Sequence, residues 1–236
     1  VKPFPILIDS RPPYLRGGES SLLLMPIGAG TLVGHIDARV SALTAHRPLI
    51  LTSFEPSAAY EEALRKACPR IEGVVAAGRF EERLSGYEPS DHLLLADPSC
   101  FPEEGLDAGL LMNGHEDDPR WVRHLVALDT TAAGTREFVH ADADGRIRRI
   151  QRYYDSVTWP FASGVSCSLL PVASTFGAGE LPFGSLPALR RALASAGVPS
   201  RDVPLPCRTF DLTDEGGLLG LSERFVLDML PPGAAR

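Results

Sequence analysis

The chain has 236 residues, a formal net charge of −7 and 44% hydrophobic residues. That length suits one large α/β domain, or one domain with a small appendage, and the acidic balance argues against a nucleic-acid partner. No apolar run nears the roughly 20 residues of a membrane span, and no basic-apolar leader opens the chain, so no membrane contact is expected from this segment itself.

In chain order, Phe4 to Asp9 reads as a buried strand. Thr31 to Thr44 reads as a helix, with Leu32, His35, Ile36, Val40 and Leu43 at helical spacing and Thr31 as its N-cap. Pro48 to Ser53 is a strand, and Ser57 caps a helix to about Ala67 with Glu61 and Glu62 near its first turn. Gly73 to Ala77 is a strand, Arg79 to Leu84 a short helix, and His92 to Ala96 a strand ending in Asp97. Strand and helix alternating at this spacing predict a parallel sheet. Val122 to Leu128 is a strand. Glu137 to Ala141 and Ile147 to Tyr154 flank a hairpin turn at Asp144-Gly145, where glycine supplies the positive φ. Gly164 to Pro171 is a further strand, and Leu186 to Ala196 a helix stopped by Gly197. Val203 to Leu205 and Arg208 to Leu212 are short strands, Glu215 to Leu230 is the last helix, and residues 231–236 form a linker-like tail.

The four cysteines, Cys68, Cys100, Cys167 and Cys207, are scattered without a C-x-x-C pair, as expected of reduced thiols in a cytoplasmic protein. Lysine is nearly absent. Lys2 and Lys66 stand alone among 23 basic residues, so a mechanism that needs an ammonium at a phosphate has two candidates.

Three stretches taken in order resemble sugar-1-phosphate nucleotidyltransferases: Ser20 to Val40, containing Pro26-Ile27-Gly28; the strand His92-Leu93-Leu94-Leu95-Ala96-Asp97; and the closing Phe210-Asp211, which follows the hairpin and the Gly164 to Pro171 strand. The resemblance implies a GT-A-like Rossmannoid fold over residues 1–230, with a mainly parallel mixed sheet flanked by helices. It also implies Mg²⁺ held by Asp97 and Asp211, and a nucleotide or nucleotide-sugar as ligand. Both aspartates read equally well as turn-capping residues.

The departures lie at the amino-terminal loop. The family has a glycine-rich loop there, whose N–H groups approach a triphosphate, with an arginine and a following lysine. Here the first strand runs into Asp9-Ser10-Arg11-Pro12-Pro13-Tyr14-Leu15-Arg16-Gly17-Gly18. Proline has no N–H to offer, and the lysine's place falls near Ser20, Ser21 and Leu22. Losing one phosphate-stabilising group typically costs roughly a hundredfold in rate. Arg11, Arg16, Gly17 and Gly18 are the candidates for a substitute anion cradle, and an ordinary surface loop is the competing reading. Trp159 could line a sugar or base pocket or pack in the core. His115-Glu116-Asp117-Asp118 reads as a solvated acidic loop or a metal cluster, and His35 as a packed histidine.

The expected role is a catalytically degenerate nucleotide-sugar-binding or regulatory module in bacterial surface-polysaccharide synthesis. The chain also resembles the N-terminal part of polyprenyl-phosphate sugar-phosphate transferases. Its start without Met and its linker-like tail fit a piece fused to, or partnered with, a membrane sugar transferase. An active sugar-1-phosphate nucleotidyltransferase and a protein-interaction scaffold are the alternatives.

Overall fold

The computed structural model describes residues 2–12, 15, 20–104, 107–113, 115, 118–128, 135–141, 147–154, 163–207, 209–213 and 215–229. The elements run β1 (Phe4–Asp9), β2 (Pro26–Ile27), β3 (Gly30–Thr31), α1 (Leu32–Val40), β4 (Leu49–Thr52), α2 (Ala58–Ala67), β5 (Gly73–Ala76), α3 (Phe80–Leu84) and β6 (His92–Ala96). Then come β7 (Cys100–Pro102), β8 (Val122–Leu128), β9 (Thr135–Ala141), β10 (Ile147–Tyr154), β11 (Ser163–Pro171), α4 (Leu186–Ser195), β12 (Ser200–Leu205), β13 (Thr209–Asp211) and α5 (Glu215–Met229). The turn predicted at Asp144-Gly145 and the tail 231–236 lie outside the described residues, although β9 and β10 pair antiparallel on either side of that turn.

Seven strands form the central sheet, in the order β12-β8-β11-β6-β1-β4-β5. β11 runs antiparallel to β6 and β8, and the remaining pairings are parallel. The sheet is thus mainly parallel and mixed, as expected from the sequence.

Period-two alternation divides the core. Leu7, Ile50, Leu94 and Leu125 pack on one face with Leu32, Val33 and Ile36 of α1, Tyr60 and Leu64 of α2, and Leu221 of α5. Ile6, Ile8, Leu49, Leu51, Leu93 and Leu95 pack on the other with Phe80 of α3 and Leu186, Leu189 and Leu193 of α4. Each such side chain contributes about 1.5–3 kcal/mol by leaving water.

The caps follow their local chemistry. Thr31 Oγ1 accepts from Gly34 N, and Ser57 Oγ accepts from Tyr60 N at 3.2 Å. Glu61 lies in the first turn of α2 and Arg65 and Lys66 in its last, each at the helix end whose dipole favours its charge. Gly197, just past α4, takes a φ of 70°, a conformation glycine adopts without a Cβ clash. α1 stops at Val40, short of the predicted Thr44, because the N–H of Leu43 bonds Val40 O, three residues back, instead of the carbonyl four residues back that would continue the helix.

Candidate active site

The chain leaves β1 toward β4 and β5 on one side, then returns to place β6 on the other. Open α/β sheets bind ligands at such a reversal, outside the carboxyl ends of the strands. The register pairs Leu7 with Ala96, so Asp9 and Asp97 close these two neighbouring strands side by side.

Asp9 turns to the α2 face. Its Oδ1 accepts from Ser10 N at 2.9 Å and Leu23 N at 3.0 Å. Its Oδ2 accepts from Ser21 Oγ at 2.6 Å and from the Tyr60 hydroxyl. The side chain is fully buried. Burial pushes its carboxyl above the usual range, against the lowering effect of those four donors. The Tyr60 hydroxyl is likewise pushed up, first by burial and then by the Asp9 charge. Leu22 N donates to Ser10 O at 3.0 Å. The base of the loop between β1 and α1 is therefore tied shut by a carboxylate belonging to the protein.

Arg11 stands above this knot. Its Cζ lies 3.9 Å from the centre of the Phe54 ring and 5.8 Å from that of Tyr60, in cation–π range of both. Arg16, Gly17 and Gly18, its expected companions in an anion cradle, lie outside the described residues, as does Trp159.

Asp97 turns to the opposite face. Its Oδ1 accepts from Ser99 N at 2.9 Å and its Oδ2 from Leu186 N, the first residue of α4, at 3.3 Å. Only 6% of it is exposed, and burial raises its pKa. Asp211 is reached through β13, which pairs antiparallel with β7 and sets Asp211 opposite Cys100. Leu212 N then donates to Ser99 O at 2.8 Å, so Asp211 arrives at the turn that follows Asp97. It is exposed, and its Oδ1 accepts from Thr213 N at 2.9 Å and Thr213 Oγ1 at 2.5 Å. Both aspartates thus cap turns, and Asp97 caps a helix as well. Mg²⁺ is ordinarily held by one or two carboxylates together with substrate phosphates and water, and in donor chemistry this pair fits it. Among the described residues no group of three ligating side chains is gathered.

A cavity of about 380 Å³ opens on the Asp97 side of the same edge. Ser53 after β4, Ala77 and Gly78 after β5, Glu81 of α3, and Phe183 and Ser185 before α4 line it. Its volume lies in the range of small-molecule sites.

Both lysines belong to the far rim. Lys2 precedes the amino end of β1, and Lys66 lies in the last turn of α2, where the chain heads back to the amino end of β5.

Sequence reasoning singled out Asp97, Asp211 and Arg11 as candidates and passed over Asp9 and Tyr60. The available signal was an acid closing an otherwise apolar strand. His35 is a packed histidine, as expected: its Nε2 lies 3.0 Å from Ile27 O and its ring 4.8 Å from that of Phe225.

No protein-family profile and no curated protein sequence matches the chain. Solved structures do. UTP-bound UGPase from Acinetobacter baumannii superposes with a TM-score of 0.63 at 11% identity, over 99% of this chain and 95% of that one. A putative glucose-1-phosphate thymidylyltransferase from Bacillus anthracis, in complex with a sucrose, gives 0.61 at 10% identity, over 98% and 97%. A 4-diphosphocytidyl-2C-methyl-D-erythritol synthase gives 0.55 at 14% identity, over 95% and 100%. Across nearly its whole length, the chain has the fold of the sugar-1-phosphate nucleotidyltransferases.

Proposed function

We propose that this chain is a nucleotide-sugar-binding module that retains the nucleotidyltransferase fold without the transfer chemistry. The observation that supports this most is the Asp9 knot. Nucleotidyl transfer needs preorganised N–H donors and positive charge around the phosphates. At the end of β1, the N–H groups of Ser10 and Leu23 and the hydroxyls of Ser21 and Tyr60 are already bonded to Asp9. The loop continues into Pro12 and Pro13, which have no N–H, and both lysines lie at the opposite rim.

Binding is a smaller demand. Arg11 on Phe54 offers a guanidinium for a diphosphate. The cavity on the Asp97 side of the sheet offers the hydroxyls of Ser53 and Ser185 to a sugar or base. Asp97 and Asp211 would hold Mg²⁺, which supplies charge neutralisation for the diphosphate when bound. Arg16, Gly17, Gly18 and Trp159 are proposed as further contacts on the sequence alone. The proposed setting is the cytoplasmic side of bacterial surface-polysaccharide synthesis, fused to or partnered with a membrane sugar-phosphate transferase. That setting rests on the sequence resemblance. Among the described residues no helix is long and apolar enough to cross a membrane.

Calorimetry with nucleotide-sugars, with and without Mg²⁺, tests the reading. Binding that weakens roughly tenfold in Arg11→Ala or Asp97→Ala is expected. Turnover of a triphosphate with a sugar-1-phosphate would establish an active transferase instead. Failure to bind any nucleotide or nucleotide-sugar would leave a protein-interaction scaffold.

A further inference from the structure

At the other end of β6 from Asp97, His92 and His115 bring their Nε2 atoms within 3.1 Å of each other. Five residues of strand separate this point from Asp97, roughly 17 Å. The rings are perpendicular, with centroids 4.7 Å apart. His115 is only 3% exposed. His92 Nε2 also lies 3.3 Å from Pro119 O. A carbonyl can only accept, so in the tautomer that bonds Pro119 O the proton sits on His92 Nε2, the nitrogen that also faces His115 Nε2.

We infer that His92 and His115 form a binding site for a borderline transition-metal ion, with Zn²⁺ or Ni²⁺ taking the place of that proton. Imidazole nitrogens bind such ions at about 2.0–2.1 Å, which sets two ligands of one ion roughly 2.9–3.4 Å apart for bond angles of 90–109°. The observed 3.1 Å lies inside that window. Nitrogens facing each other head-on would hold the centroids roughly 5.4 Å apart by ring geometry. The shorter observed separation shows the two ring axes inclined to the line between the nitrogens. Neutral imidazole suits zinc and nickel, whereas Mg²⁺ prefers oxygen, so this site differs in kind from the Asp97–Asp211 corner.

The backbone holds the pair in place. His92 opens β6 in register with Pro171 of β11, and His115 N donates to Met112 O at 3.2 Å. The Asp118 carboxylate pairs with Arg201 at 3.4 Å, so the two histidines are the proposed protein ligands and water completes the shell. On binding, His92 moves its proton from Nε2 to Nδ1. Both rings stay neutral, and no net proton is released.

The test is calorimetry of the intact chain with ZnCl₂ and with NiCl₂ at neutral pH. One ion per chain is expected, with affinity falling roughly tenfold or more in His92→Gln and His115→Gln. Glutamine can still hydrogen-bond across the gap but ligates these ions poorly. His46→Gln is the control, because His46 stacks on Phe4 elsewhere in the fold, and it should bind as the parent does. Imidazole ¹⁵N resonances of the unmodified chain give an independent reading, with zinc expected to move the signals of two histidines. A parent chain that takes up no ion would overturn the site, as would glutamine variants that bind as tightly or zinc shifts confined to other histidines.

Discussion

Asp9 and Asp97 end adjacent parallel strands, both are buried, and burial raises the pKa of both. They differ in what they hold. Asp9 gathers two backbone amides and two hydroxyls, from Ser21 and from Tyr60 of α2, and shuts the loop that follows β1. Asp97 gathers two backbone amides, one at the start of α4 just after Ser185 of the cavity wall, and the exposed Asp211 reaches the turn that follows it. The β1 end is built as a structural tie, and the proposed function puts its ligand at the β6 end. A transferase needs both ends for chemistry, whereas a binding module can work with one.

The sharpest way to break this contrast is Asp9→Ala. It leaves four buried or half-buried donors without their acceptor, and a loss of about 3–5 kcal/mol is expected in urea unfolding. A loss under about 1 kcal/mol would show that Asp9 is no tie. Asp9→Asn keeps an acceptor and should cost about 1–2 kcal/mol. Its disadvantage should shrink with rising pH. Because the folded pKa of Asp9 is raised, the parent's contribution from this group is full below about 3.8 and is lost as pH rises through the higher folded value.

His124 gives an effect of opposite sign on the α4 side. It lies in register with Ser168 of β11 and Asp202 of β12, and its Nδ1 lies 2.8 Å from Ser168 Oγ. Burial first, and the Arg190 charge second, lower its pKa from 6.5 to about 4, while Asp202 opposes them. Its contribution is present above pH 6.5 and lost as pH falls toward 4, roughly 3 kcal/mol in all. A His124→Gln chain should lose that slope in pH-dependent unfolding.

Next comes Gly217, where an added Cβ would run into the carbonyl of Asp211. Gly217→Ala should cost about 1–3 kcal/mol and, by displacing Asp211, weaken any Mg²⁺-dependent binding. Smallest in stability is Asp97→Ala, about 1 kcal/mol for the lost cap of α4. Its larger effect should be on nucleotide-sugar affinity. Calorimetry beside thermal melts separates the two.

Most elements were legible because each carries its own period or cap. Ser57 and Gly197 marked helix ends that the structure confirms. β2, β3 and β7 span two or three residues, too short for any period. β12 begins at Ser200, earlier than the predicted Val203, because Ser200-Arg201-Asp202 lies at the sheet's outer edge and needs no apolar alternation. Asp97 and Asp211 were readable as acids at strand ends. The Asp9 knot was not, because its partners Ser21 and Tyr60 stand 12 and 51 residues away and meet only through the fold. The same distance effect hid His92 behind the acidic run at His115, since the two are 23 residues apart.

The most direct measurement of the central claim is pyrophosphate release from the intact chain supplied with nucleoside triphosphates, sugar-1-phosphates and Mg²⁺, under conditions where calorimetry detects nucleotide-sugar binding. The expected result is binding with no release above the buffer rate. Sustained release that disappears in Asp97→Ala would contradict it, and would mean that the loop after β1 grips a triphosphate in spite of the Asp9 tie.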